Sequence, residues 1–468
     1  MTPEAPPPPS PALVAQRVAA PAPAGDPLLG RQGFLSQINW TPPLAGGRRP
    51  LVAVLDTGVD AADPDLRDVV LSDAARSFVP GLEPDDDPSG HGTHIAGVIA
   101  ATAGNDFGGA GVAAARILPV TIADAAGRAT TSALVRGLRY ATARGARVIN
   151  ISFGGEGFSQ IEQDAIDAAV RRGALIVVPV GNTGGRGGAP EYPGGYRQVL
   201  TVAAMGRTGR VLALSGRGPQ VAIAAPGEKV ASTPPRSLPG VAATGLLART
   251  GTSMAAAVVS GAAARVIAGR PGLSAQQVRA VLEGSARDLP PGGDDGASGA
   301  GALDLAAALA APTPPREDPE PNDDTRLAAR SRLLLGARSA TAAISGRTGS
   351  YSDPRDGFRV VLRRGDVLSA ELQPSVASTA DLDLVLWRPG TPPTRRGPAF
   401  ARIWLVAAAL GPTASERLTV AAPDTGVYTL EVQGLRGATA YRLSVSRSVT
   451  VATGDFPHGG GGSTMGTR

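Results

Sequence analysis

The chain has 468 residues, about three times the ~150 expected per domain, so more than one folded unit is predicted. With 43% hydrophobic and 18% charged residues it can bury a sizeable core, built mostly from Ala, Val, Leu and Ile because aromatics are only 4%, while 62 glycines and 42 prolines predict many loops. The net charge of +5 is spread over scattered arginines, with Lys229 the only lysine, so no basic stripe for nucleic acid or an anionic membrane is present, and zero cysteines exclude disulfides, thiolate zinc sites and a cysteine nucleophile.

Residues 1–25 are rich in Pro and Ala and lack the basic start and unbroken apolar stretch of a secretion signal, so the expectation is a chain that is not exported or a signal lying outside it. Residues 26–310 then alternate short apolar runs with helix-period segments. Leu51–Leu55, Arg116–Val120, Arg147–Ile151, Ala174–Val180 and Val199–Ala203 predict buried strands, with helices over His91–Thr102, Thr131–Ala143 and Phe158–Arg172. In the last helix Ile161, Ala165, Ile166, Ala169 and Val170 are expected to share the buried face, with Glu162, Gln163, Asp164 and Asp167 off it. Such repetition predicts an α/β fold: a parallel sheet with helices on both faces and reactive groups at the carboxyl ends of its strands. The proline-rich residues 311–317 end this domain. From 318 to 448, short strands at Arg359–Leu362, Val367–Leu372, Leu382–Trp387, Leu418–Ala422, Val427–Val432 and Tyr441–Val445 predict a smaller all-β sandwich, and residues 449–468 read as a flexible tail. No unbroken apolar run reaches the ~18 residues that span a bilayer, so no membrane partner is expected.

Four segments of the first domain carry chemically useful groups. Asp56 follows the strand Leu51–Leu55 in Asp-Thr-Gly, which alone is an ordinary turn. His91 opens a helix in Gly90-His91-Gly92-Thr93-His94; the chain has only three histidines and the third, His458, lies in the tail. Metal ligation by His91 and His94 is disfavoured, because the i, i+4 spacing with an intervening Glu is missing and no third His or Cys stands in the domain. Ser253 lies at the start of the small-residue helix Ala255–Ala268, a place for a simple cap or for a nucleophile whose oxyanion the helix N–H groups stabilise. Asn182, in Val180-Gly181-Asn182, puts a side-chain amide at another strand end.

The order Asp, His, Ser and the letters DTG, HGTHIAG and GTSMA make the chain resemble the subtilisin-like serine peptidases, a resemblance that runs over about residues 26–310 and includes NDFGGAGVA, VINISFGG, VGN, YPG and APG. It implies a serine endopeptidase acting on protein or peptide substrates, with Ser253 as nucleophile, His91 as general base, Asp56 orienting His91, and Asn182 in the oxyanion hole. Ser152, Phe153, Gly154 and Gly155 match the segment that pairs with extended substrate and walls the primary pocket, which implies broad selectivity. Glu191, just before Tyr192-Pro193, stands where relatives build the floor of that pocket, and its carboxylate suggests a preference for Arg or Lys before the cut. Ala257 and Val258 depart from the Pro and His usual after the nucleophile, which puts the positioning of Ser253 in question. Asp26, Asp65 and Asn105 match positions where relatives bind structural calcium; the chemistry itself requires no cofactor. The resemblance also implies an extracellular or periplasmic, monomeric enzyme, made without the pro-domain that secreted relatives carry unless the sequence is a mature or truncated form. In the second domain EPND (320–323), DGF (356–358), DLDL (381–384) and GVY (426–428) resemble the bacterial pre-peptidase C-terminal domain. A serine esterase of the α/β-hydrolase type would need a G-x-S-x-G elbow and the order Ser, Asp, His, and neither occurs. A binding protein on an inactive scaffold would have to retain all four chemical groups without using them.

Overall fold

The computed structural model describes residues 25–449 apart from 45, 185–189, 237–244, 291, 293–294, 316–331, 334–339, 350–353, 376–377, 379 and 393–396. Seven parallel strands form the first sheet: β1 (Leu51–Asp56), β2 (Arg76–Ser77), β3 (Arg116–Thr121), β4 (Val148–Ile151), β5 (Leu175–Pro179), β6 (Leu200–Met205) and β7 (Ile223–Pro226), in the order β2-β3-β1-β4-β5-β6-β7. The sequence LVAVLD of β1 has no polar alternation because both faces of the strand are covered. Val52 and Val54 enter a core with the helices α1 (Gly33–Gln37), α2 (His91–Ala100), α5 (Thr252–Gly269), α6 (Ala275–Gly284) and α7 (Leu305–Ala310). Leu51, Ala53 and Leu55 enter the opposite core, with α3 (Thr131–Ala143) and α4 (Gln160–Arg171). The predicted strands and helices of this domain all form, while β7 and the hairpin of β8 (Val230–Ser232) and β9 (Leu247–Arg249) were not legible, being too short to show a period.

Two details differ from the sequence reading. On α4 Ile161 is exposed, whereas Glu162, Gln163 and Asp167 are buried. At 100° per residue Ile161 lies 140° away from Ile166, while Glu162 and Gln163 flank it on the inner side. Their polar ends are satisfied there: Glu162 Oε2 accepts from Tyr196 Oη (2.7 Å), and Gln163 Oε1 accepts from Arg197 N (3.1 Å). The second difference is α5, the one helix among the described residues long and apolar enough to cross a membrane; 78% of it is buried, because it is the central core helix, packed on β4, β5, β6 and β7. Its Ala-rich sequence lets it lie close to the sheet, and it runs unbroken through Ala257 and Val258, both fully buried.

The second domain packs a five-stranded sheet on a four-stranded one. The first contains β10 (Arg332–Leu333), β12 (Arg355–Leu362), β17 (Gly426–Arg436), β14 (Asp381–Trp387) and β15 (Leu405–Ala409) in that spatial order. The second runs β11 (Ala340–Gly349), β18 (Ala438–Val449), β13 (Asp366–Pro374), β16 (Glu416–Ala421), and α8 (Gly397–Trp404) precedes β15. Alternate residues from both sheets, among them Phe358, Leu368, Leu384, Tyr428 and Leu443, build the shared core expected of a sandwich. Of the pre-peptidase-like motifs, 320–323 lies outside the described residues. Arg347 of β11 and Arg279 of α6 both pair with the buried Glu283, at 2.8 and 2.7 Å, an ion pair that joins the two domains.

Candidate active site

The groups singled out in the sequence converge on the carboxyl edge of the parallel sheet, beside β1, where the strand order reverses direction. Asp56 is the last residue of β1, and His91 is the first of α2. The two elements meet closely because a Cβ on Gly92 would collide with the Gly58 carbonyl and press on the Asp56 side chain. His91 Nδ1 donates to Asp56 Oδ1 at 2.8 Å. Burial pulls the pKa of His91 down, but the charge and hydrogen bond of Asp56 pull it up by more, so it lies above the ordinary value of 6.5. Asp56 Oδ1 also accepts from Thr57 N (2.8 Å) and Thr57 Oγ1 (3.3 Å).

Behind this pair lies a network the sequence reading missed. Thr57 Oγ1 donates to Asp87 Oδ1 (2.7 Å), and Asp87 Oδ2 accepts from Thr93 N (2.7 Å) and Thr93 Oγ1 (2.6 Å) in the first turn of α2. A carboxylate at a helix start is favoured by the orphan N–H groups and the dipole. Burial still pushes the Asp87 carboxyl above its usual range. Its signal in the sequence was an acid four residues before a histidine that opens a helix. His94, by contrast, has no part in the cleft: it is fully buried, donates from Nε2 to the carbonyls of Val230 (3.0 Å) and Leu247 (2.9 Å), and is pushed down to about 3 by burial.

Ser253 is the second residue of α5, and its Oγ donates to the Ser152 carbonyl at 3.2 Å rather than to His91. Asn182 Oδ1 accepts from Thr252 N (3.0 Å) and Thr252 Oγ1 (3.1 Å), so the amide is oriented with Nδ2 as its remaining donor. Thr252 was not singled out in the sequence, although it stands next to the serine.

His91, Asn182 and Ser253 line one cleft of about 480 Å³, together with Ser152, Phe153, Gly154 and Glu191. Glu191 packs against Gly154 and Gly181, where any side chain would collide with it, and its Oε1 is buried without a hydrogen-bond partner. The strand-like exchange of Gly155 N to Tyr192 O (2.9 Å) and Tyr192 N to Gly155 O (2.8 Å) ties the two walls of this pocket together. Ala125, Ala126 and Gly127 also line the cleft. They follow the carboxyl end of β3, and that placement was the available sequence signal.

Asp26, Asp65 and Asn105 meet elsewhere. Asp26 accepts from Gly104 N (2.8 Å) and Asn105 N (3.2 Å), and Asp65 accepts from Asn105 Nδ2 (3.0 Å) and Gly109 N (3.2 Å). Burial, with the like charges of Asp63 and Asp26 adding to it, pushes the Asp65 carboxyl up to about 6. Among the described residues no group of three His, Asp or Glu side chains is placed to hold a metal ion.

The Subtilase family profile matches residues 47–301, more than half of the sequence. The chain belongs to the subtilase family. It is similar to subtilisin DY of Bacillus licheniformis, 36% identical over 265 residues that make up 56% of this chain and 91% of the relative. Thermitase of Thermoactinomyces vulgaris is 35% identical over 244 residues, 52% of this chain and 83% of the relative. Among solved structures, a protease from Pseudoalteromonas arctica superposes with a TM-score of 0.54 at 28% identity, covering 61% of this chain and 98% of that one. This subtilase is a subtilisin-like serine endopeptidase, and its fold carries an additional β-sandwich after the peptidase domain.

Proposed function

We propose that this subtilase cleaves extended protein substrates by acyl transfer through Ser253. His91 takes the Ser253 proton as Oγ attacks the scissile carbonyl and returns it to the leaving amine, and Asp56 holds the ring and stabilises the imidazolium. Asn182 Nδ2 and the Ser253 N–H receive the oxyanion. Ser152 to Gly155 and Ala125 to Gly127 offer backbone to the substrate from two sides. The observation that carries this reading is the cleft shared by His91, Asn182 and Ser253, with His91 bonded to the buried Asp56 behind it. Labelling by a fluorophosphonate probe, which acylates an activated serine, is expected for the wild type and absent in Ser253→Ala; a folded wild type that fails to label overturns it.

Within the same reading, Glu191 selects Arg or Lys before the cut. Its buried, unpartnered Oε1 at the cleft wall supports this, since an unsatisfied carboxylate oxygen favours a cationic side chain and penalises an apolar one. Cleavage-site profiling should show Arg or Lys before the cut in the wild type and a clear loss of that preference in Glu191→Gln.

Asp26, Asp65 and Asn105 are proposed to hold a structural calcium ion. Two carboxylates with no arginine or lysine paired to them among the described residues suit a hard cation, and backbone carbonyls have to complete the six to eight oxygens calcium takes. Calcium plays no part in the chemistry. Extracellular or periplasmic action is inferred from relatives such as the cell wall-associated protease of Bacillus subtilis, 34% identical over 240 residues, 51% of this chain and 26% of that relative. The sandwich, with its DGF, DLDL and GVY segments, is proposed to be a pre-peptidase C-terminal domain.

A further inference from the structure

We propose that Arg249 makes this subtilase selective for an acidic residue in the part of the substrate that follows the scissile bond. This deepens the peptidase reading and rests on it.

Arg249 ends β9, four residues before Ser253, and lines the cleft. Its Nη2 donates to the Ser89 carbonyl at 2.9 Å, two residues before His91, so the side chain reaches across to the His91 wall. Its Nε is buried without a hydrogen-bond partner, and among the described residues no carboxylate forms an ion pair with it. A guanidinium has five donors and cannot shed its charge, so an unpaired one held in a cleft is set to receive a carboxylate.

The side on which it acts follows from the reaction. In the reading above Gly154, Gly181 and Glu191 take the residue before the cut, and Ser253 lines the same cleft, bonded to Ser152. His91 must deliver its proton to the leaving nitrogen, so the departing chain lies on the His91 side. Ser89 and Arg249 stand there. With Glu191 packed against Gly154 and Gly181, and Arg249 bonded to Ser89 on the His91 side, the proposed cleft favours a base before the bond and an acid after it.

The test is a set of internally quenched peptides, identical up to the cut and carrying Glu, Gln or Lys at the first, second or third position after it. The readout is the Glu-to-Lys ratio of kcat/KM within each enzyme, which cancels any general loss of activity. The wild type should favour Glu by about five- to tenfold, less at high salt, Arg249→Gln should bring the ratio near one, and Arg249→Glu should invert it. A wild-type ratio near one, a ratio unchanged in Arg249→Gln, or an acid preference confined to positions before the cut overturns the proposal. A wild type that cleaves none of the peptides would instead overturn the peptidase reading itself.

Discussion

In the proposed mechanism His91 can take the Ser253 proton only when its ring is neutral, and the Asp56 carboxylate favours the protonated ring. Because the pKa of His91 is raised above 6.5, the ring is blocked below that value and released above it. The expected kcat/KM profile therefore rises with pH through an apparent pKa above 6.5; an inflection well below 6.5 would contradict the geometry. Asn182→Ala removes the Nδ2 donor while Thr252 stays in place, and the expected loss is in kcat, about 10²–10³, the magnitude already known for the equivalent amide of subtilisin itself. Thr57 links Asp56 to Asp87. Thr57→Val keeps the volume but cuts that link, so kcat should fall by roughly tenfold with KM little changed, and Thr57→Ser should restore it. An equal loss of thermal stability in the Val and Ser variants, with no difference in kcat between them, would make Thr57 merely structural.

At the scale of elements, α6 shows how local chemistry fixes a boundary. Ser274 Oγ accepts from Gln277 N (3.1 Å) and Gln277 Oε1 accepts from Ser274 N (3.0 Å), a reciprocal capping box. Ser274→Ala should cost about 1 kcal/mol in denaturant unfolding, measured on a Ser253→Ala background to prevent self-digestion. Helix α4 illustrates the opposite case, because Glu162 and Gln163 find buried partners in Tyr196 and the Arg197 backbone, which come from a distant loop. An apolar-face rule assigns Ile161 inward in their place, and no periodicity could reveal partners more than thirty residues away.

At the scale of the molecule, stability and activity are expected to depend on pH through different histidines. His94 joins α2 to β8 and β9 as a neutral ring with a pKa of about 3. Unfolding returns it to about 6.5, so below pH 6.5 the unfolded chain binds a proton that the folded one refuses, and stability falls with pH down to about 3. His94→Gln isolates the histidine: the stability advantage of the wild type over the variant should shrink by about 2 kcal/mol between pH 7 and pH 5. A constant difference would mean that His94 is not neutral in the fold.

What the sequence determined by itself was the set of reactive residue types and the strands and helices that end in them: Asp56 closing an apolar run, His91 and Ser253 opening small-residue helices, Asn182 after a fourth run. These are local facts, since a buried parallel strand needs a continuous apolar run and a helix start needs its cap within a few residues. Only the tertiary structure decided what stands between them. The Thr57–Asp87 link, the hold of Thr252 on Asn182, the place of Ala125 to Gly127 in the same cleft as Ser152, and the reach of Arg249 to Ser89 all join residues from separate turns of the chain. Hydrogen bonds and charges act over a few ångströms of space whatever the separation in sequence, so such contacts exist only once the sheet has brought its carboxyl edge together.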